Sequence, residues 1–226
     1  MFLKKVAVDR LKDSVLENKL KQKVRKCDGS PKAIIMLAGL LSRRDLTDRR
    51  SMIGPKELPE ESIFALSYQD LPLPIKSCFL YLGLFPRAFW IPVRRLLHLW
   101  LAEGLVTPPL PEQNMSSEDV AEEYLKELIN RSMIEVARLR SDGRPKTCRM
   151  PGFLWDFFFP KAVTLGVFHV HNPTDDTSAE RPEFNVRRLA EYVGIKTYPS
   201  SDPCYIQHLH SYISLTPGKE ICLLRR

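Results

Sequence analysis

Apolar residues recur every three or four positions in several stretches that Gly and Pro separate, which predicts a series of amphipathic helices. The first stripe, 15–24, has lysines on its opposite face, and the next helix is the apolar run 33–41. Pro31 suits the first turn of that second helix, where its missing N–H costs nothing. Further helices are predicted over residues 60–70, 75–84, 92–103, 116–133 and 153–162.

The pattern changes between residues 134 and 150, where two short segments flank Asp142-Gly143. An Asp-Gly pair between two strand-like segments is a strong hairpin signal. Helices followed by a hairpin and a closing helix make a winged-helix arrangement. The predicted fold class is therefore mainly α with a small β-hairpin wing, a winged-helix subdomain preceded by a partial helical subdomain.

Length and composition indicate a soluble globular chain with a cytoplasmic location. The chain has 226 residues, of which 44% are hydrophobic and 27% charged. Its longest apolar run, Ala33–Leu41, is far shorter than the ~20 residues that cross a bilayer, so no membrane span is predicted. The five cysteines are widely spaced and include no CxxC, which indicates buried free thiols rather than disulfides or a zinc site.

The positive charge is concentrated near the N-terminus. The net charge is +7, and residues 1–50 alone hold 14 Lys and Arg against 6 Asp and Glu. A basic chain with a winged helix raises the alternative of DNA binding. However, the helix that would enter the major groove, 117–133, has five acidic and two basic residues. Phosphate contacts dominate affinity for DNA, so nucleic acid is not a predicted partner.

Other candidate chemistry is weak. His169 with His171, and His208 with His210, have a spacing that two zinc-binding pairs could use, but no Cys or carboxylate completes a ligand set. No GxSxG is present, and the carboxylates cluster on one helix face, so neither an enzyme nor a small-molecule substrate is predicted. The aromatic run 153–159 is expected to be mostly core, with Phe158 and Phe159 facing neighbouring domains.

Several phrases of the chain resemble plant disease-resistance receptors of the coiled-coil, NB-ARC, leucine-rich-repeat type, the nucleotide-binding leucine-rich-repeat receptors or NLRs. LSYQDLP (66–72), IKSCFLYLGLFP (75–86), IPVRRLLHLWLAEGLV (91–106) and EDVAEEYLKELINRSMIEVA (118–137) look like their winged-helix subdomain. VRRLAEY (186–192) and HLHSYISL (208–215) look like the lead-in to their leucine-rich repeats. The resemblance implies a defence switch that ADP holds closed and ATP opens.

The resemblance also implies the domain organisation. Residues 1–50 correspond to a partial helical subdomain of the NB-ARC region, and residues 51–60 to a linker. Residues 61–168 correspond to the winged-helix subdomain. Residues 169–226 are expected to be an irregular segment that leads toward leucine-rich repeats.

The chain departs from the family at each nucleotide motif. It has no Walker A motif, because its one Gly-Lys pair, Gly218-Lys219, is followed by Glu220. The resemblance assigns Pro31 to contact with the nucleotide base, but Lys32 places a charge beside it. The family's Met-His-Asp sensor, whose His reaches the ADP β-phosphate, aligns with Met150, Pro151 and Gly152. Neither Pro nor Gly has a side chain that can take over the His or Asp role.

We therefore expect a fragment of an NLR acting in defence response, with no cofactor bound by this chain although the parent family uses ADP and ATP. Its expected role is protein interaction, with other NLR chains or their leucine-rich repeats as partners. A winged-helix DNA-binding protein and a truncated gene product without activity are the alternatives. The sequence leaves open whether Met1 is the true start or an upstream exon with the phosphate loop is missing.

Overall fold

A computed structural model describes residues 30–42, 59–110, 112, 114–171, 187–192, 209–215 and 222–225 of the chain. The described helices are α1 (Pro31–Ser42), α2 (Glu60–Gln69), α3 (Leu73–Tyr81), α4 (Val93–Ala102), α5 (Ser117–Asn130) and α6 (Gly152–Thr164). A 3₁₀ turn, Leu82–Leu84, extends α3. The described strands are β1 (Ile91–Pro92), β2 (Glu135–Leu139), β3 (Pro145–Arg149), β4 (His169–His171), β5 (Arg188–Glu191), β6 (Ser211–Ser214) and β7 (Cys222–Arg225).

Helix α5 has the start that its sequence predicts. The Ser116 hydroxyl accepts a hydrogen bond from the Asp119 amide at 3.1 Å, and the Asp119 carboxylate accepts one from the Ser116 amide at 2.8 Å. This reciprocal pair is a capping box, with Asp in place of the usual Glu or Gln. At the end of α4, Gly104 adopts a φ of 68°, a left-handed conformation that favours glycine.

The predicted hairpin is present and gains a third strand. Strands β2 and β3 pair antiparallel around Asp142-Gly143, where Gly143 has a φ of 79°. The Asp142 side chain accepts a hydrogen bond from the Arg144 amide at 2.9 Å, which is typical of such turns. Strand β1 adds to the other side of β3, giving the order β1-β3-β2. The predicted fold class, mainly α with a small winged-helix hairpin, is confirmed.

One hydrophobic core joins the helices and both sheets. Its largest fully buried side chains include Trp100, Tyr81, Phe79 and Phe85. Both described free cysteines, Cys78 and Cys148, are buried, and burial raises the pKa of each thiol to about 12. Within the described part of the chain, no helix is long and apolar enough to cross a membrane.

A second sheet follows the winged helix, in the segment that was expected to be irregular. Strands β4, β5 and β6 are parallel neighbours, and β7 pairs antiparallel with β6. The three parallel strands begin at His169, Arg188 and Ser211, a separation near the 20–29 residues of a leucine-rich repeat. The expectation of irregular structure is therefore wrong for these strands. Short strands that pair with distant segments leave little local pattern to detect.

The second sheet is fixed to the winged helix by polar and aromatic contacts. The Arg188 guanidinium donates to Glu103 at the end of α4 at 2.7 Å, and both side chains are mostly buried. The Tyr192 hydroxyl donates to the Gly83 carbonyl at 3.4 Å. The Phe168 ring covers Gly83 so closely that a Cβ there would lie 2.8 Å from the ring. The sheet and the helices therefore pack as neighbours within one core.

Some sequence predictions lie outside the described residues. These are the first predicted helix, 15–24, most of the 1–50 subdomain, most of the 51–60 linker, and His208 of the histidine pairs. The domain boundaries at residues 50, 60 and 168 stay predictions.

Candidate functional site

The residue assigned to the nucleotide base, Pro31, lies at the first position of α1. The Ser30 hydroxyl accepts a 3.4 Å hydrogen bond from the Ala33 amide and so caps this start. Both Pro31 and Lys32 are exposed. The Lys32 ammonium lies 5.4 Å from the centre of the Phe153 ring, a cation–π contact with helix α6.

The three residues aligned with the family's sensor connect β3 to α6. Met150 is buried in the core, with 4% of its surface exposed. Pro151 has an extended backbone, and its carbonyl accepts hydrogen bonds from the Leu154 and Trp155 amides at 3.0 Å each. Gly152 is the first residue of the helix. The triplet therefore serves here as a helix start without a side-chain cap.

An arginine lies over the glycine of this triplet. A Cβ placed on Gly152 would lie 3.1 Å from the Arg87 guanidinium. That guanidinium binds the Asp156 carboxylate through two hydrogen bonds of 2.7 and 2.9 Å, the fork geometry that Arg prefers. Asp156 lies one helical turn after Gly152. Asp156, the only carboxylate of α6, is thus paired with Arg87 beside Gly152.

The electrostatics of the site follow from this pair. Hydrogen bonds from Arg87 hold the pKa of the Asp156 carboxyl below its usual value, and the charges of Arg87 and Lys32 lower it further. About half of each paired side chain is exposed to water. Because water screens the two charges, such a pair contributes little to the free energy of unfolding. The pair therefore neutralises local charge more than it holds the fold.

The structure brings most of the predicted site together. Lys32, next to Pro31, contacts Phe153, next to Gly152, so the two segments that the resemblance assigns to nucleotide contact are neighbours. Sequence reasoning missed Arg87 and Asp156. The available signal was Asp156 itself, a single charge inside the apolar run 153–159. The nucleotide roles of Pro31, Met150, Pro151 and Gly152 stay predictions.

The aromatic run packs mainly as core. Phe158 is 4% exposed and meets Phe79 edge to face, with ring centres 5.1 Å apart. Phe159 is partly buried, stacked on Trp155 at 4.1 Å and close to Phe168. The expectation that Phe158 faces an absent domain is therefore wrong, because α2 and α3 already cover that side of α6.

The zinc hypothesis gains no support. His169 lies in β4 and His210 lies just before β6. Over the residues that the structure describes, no three His, Cys, Asp or Glu side chains come together as a metal site would require.

Comparison with known proteins gives a family match over the winged helix. Residues 84–158 match the disease resistance protein winged helix domain. This stretch contains the hairpin, the sensor triplet and both members of the Arg87–Asp156 pair. The chain is 35% identical to disease resistance protein RPP13 of Arabidopsis thaliana over 197 residues, 84% of this chain and 23% of that protein.

Two further relatives extend the similarity. The disease resistance protein RPM1 of Arabidopsis thaliana is 27% identical over 226 residues, 94% of this chain and 24% of that protein. The ToMV resistance protein Tm-2(2) of Solanum lycopersicum is 32% identical over 152 residues, 65% of this chain and 18% of that protein. This chain belongs to the plant disease-resistance proteins.

The chain spans about a fifth to a quarter of the length of these disease-resistance proteins. Its candidate site lies within the winged-helix domain of the family, at the junction of β3 and α6. In this disease-resistance chain, the junction holds a Pro-Gly pair and an internal arginine–carboxylate pair.

Proposed function

We propose that this chain is a protein-interaction module derived from an ADP/ATP-dependent defence receptor, acting in the cytoplasm without nucleotide of its own. One observation carries the proposal. Where the family has its His and Asp sensor, Pro151 has no donor and Gly152 has no side chain, and Arg87 already binds Asp156. A phosphate recruited to this position would have to compete with Asp156 for the guanidinium.

The proposed partners are other NLR chains, through the surfaces next to the second sheet. Two features support this. The parallel strands β4 to β6 have the spacing of a repeat array, and such arrays grow by stacking neighbouring repeats. The sheet is also fixed to the winged helix by the Glu103–Arg188 pair. The module would therefore present a preformed repeat edge to a receptor.

Nucleic acid is not part of the proposal. Helix α5, which would enter a DNA groove, has Glu118 and Asp119 in its first turn and Glu122 and Glu123 in its second. The helix therefore offers phosphates no excess of positive charge, and phosphate contacts supply most of the affinity for DNA.

Two measurements test the proposal. Thermal unfolding of the purified chain with and without millimolar Mg-ADP or Mg-ATP should give the same midpoint, because a ligand that binds the folded state raises it. Co-precipitation with full-length NLR chains should recover the module with at least one receptor. A rise in the unfolding midpoint on addition of nucleotide would contradict the proposal that this chain binds none. Failure to bind any receptor would favour a gene product without activity.

A further inference from the structure

A groove of about 430 Å³ lies between α4, α5 and the tip of the β2–β3 hairpin. Its floor is apolar. Val93 and Leu97 are one turn apart on α4, Leu125 and Ile129 are one turn apart on α5, and Pro145 closes the hairpin side. The volume falls within the range of pockets that enclose a small ligand or a few side chains.

Charged side chains line the rim, and most of them are paired with each other. Glu122 of α5 accepts from Arg144 of the hairpin at 3.3 Å, and Glu123 accepts from Lys126 at 3.1 Å. Asp142, the third carboxylate of the rim, lies 3.8 Å from the same Arg144, so each acidic side chain of the groove faces a cation. The Glu122–Arg144 contact also connects α5 to the hairpin across one end of the groove.

Two arginines of the rim are different. Arg94 at the start of α4 is exposed, and Arg140 at the end of β2 is half-buried. Both line the groove, and neither has a carboxylate within ion-pair distance among the described residues. A guanidinium beside an apolar floor favours a ligand that combines carboxylates with large apolar groups.

We propose that this groove binds a short peptide segment in which carboxylates flank two or three large aliphatic side chains. The aliphatic side chains fill the floor, and the carboxylates meet Arg94 and Arg140. The inference rests on the proposed function in one respect, which is that the chain is a protein-binding module. The groove lies on a different surface from the second sheet. The peptide site and the receptor partners can therefore be disproved separately.

The test uses the full chain and two labelled peptides. The first is a synthetic 12-residue helix of leucines and glutamates in which the leucines share one face, and the second replaces every glutamate by glutamine. Fluorescence anisotropy at low salt should show binding of the acidic peptide and at least about fivefold weaker binding of the glutamine peptide. Raising the salt should weaken the acidic peptide's binding.

Variants localise the binding to the groove. Arg94→Gln and Arg140→Gln should each weaken binding of the acidic peptide about three- to fivefold. Arg138→Gln is the matched control, because Arg138 is an exposed arginine of β2, two residues before Arg140, and it does not line the groove. It should leave binding unchanged. Thermal unfolding by circular dichroism checks that all three variants fold.

Several outcomes would overturn the inference. They are equal binding of the two peptides, an unchanged affinity in the Arg94→Gln, Arg140→Gln double variant, or no binding of the acidic peptide. Binding of a DNA duplex that the same double variant abolishes would reassign the groove to nucleic acid. If the acidic peptide binds as expected while no receptor co-precipitates, the groove is confirmed as a peptide site and the proposed receptor partners are wrong.

Discussion

Two arginines of this chain pair with carboxylates that lie 61 and 69 positions away in the sequence, and the two pairs differ in burial. Arg131, at the end of α5, binds Asp70 at 2.5 Å and Glu127 at 2.7 Å, and its side chain is 8% exposed. Arg87 binds Asp156 at 2.7 Å, and its side chain is 56% exposed. Each arginine is followed by a residue with a φ of 61°. Each arginine makes two short hydrogen bonds, Arg131 to two carboxylates and Arg87 to both oxygens of one, and the two sites differ mainly in burial.

The difference in burial separates a pair that stabilises the fold from a pair that lies at the candidate site. A charge buried with its partners cannot lose one of them without leaving the other uncompensated in the core. A half-exposed pair is replaced by water at little cost. The Arg131 cluster therefore constrains the fold, while the position beside Gly152 is free to change.

The largest expected effect is at the buried cluster. Arg131→Met should lower the free energy of unfolding by about 3–5 kcal/mol, because it removes a buried guanidinium that binds two largely buried carboxylates. Urea denaturation followed by tryptophan fluorescence measures it. The control is Arg144→Met at an exposed arginine, which should stay within about 0.5 kcal/mol of the original chain. Equal losses in the two variants would mean that burial does not distinguish the arginine pairs of this chain.

The second effect concerns the close packing of α1 on the same cluster. A Cβ at Gly39 would lie 2.2 Å from the Arg131 carbonyl oxygen, a backbone atom that cannot rotate away. Gly39→Ala should therefore cost about 1–3 kcal/mol, although alanine favours helices intrinsically. The same denaturation assay measures it. A stability equal to that of the original chain would mean that α1 does not pack at this distance.

The same substitution at the sensor position should have the opposite sign. At Gly152 a Cβ meets only the flexible end of Arg87, at 3.1 Å. Gly152→Ala should raise the free energy of unfolding by about 0.4–1 kcal/mol, because it restricts the unfolded chain. The pair Gly39→Ala and Gly152→Ala is thus its own matched control. Destabilisation by Gly152→Ala would show that Arg87 is held rigidly.

The smallest effect is the pH dependence of the exposed pair. Because the pKa of Asp156 is lowered in the folded chain, the carboxyl binds a proton more readily when unfolded. Its stabilisation is present at neutral pH and is lost as the pH falls below about 4 and through the folded-state pKa. The Asp156→Asn variant should therefore unfold at a slightly lower urea concentration than the original chain at pH 7. In acid, the two should unfold at the same urea concentration.

Arg87→Gln provides the control for this pH dependence. Once the guanidinium is absent, Asp156→Asn should have a much smaller effect at pH 7, because only the charge of Lys32 then still lowers the pKa of Asp156. A large pH-dependent difference that persists in the Arg87→Gln background would mean that another group, and not Arg87, lowers the pKa of Asp156.

Local signals in the sequence predicted several elements because each depends on neighbouring residues. The Ser116 cap, the Asp142-Gly143 turn and the Gly104 helix end are satisfied by atoms within a few positions of the chain. The helical stripes likewise specify which face is buried. The parallel part of the second sheet was missed because its strands of three or four residues are stabilised by partners about twenty positions away.

By itself, the sequence determined the described helices, the hairpin and the winged-helix class, since all of these depend on residue type and short spacing. Only the tertiary structure decided which charges meet. Arg131 reaches Asp70 across 61 positions and Arg87 reaches Asp156 across 69, while other charges of the same types stay in water. The reason is that burial and distance set the strength of an ion pair, and both depend on how the helices pack.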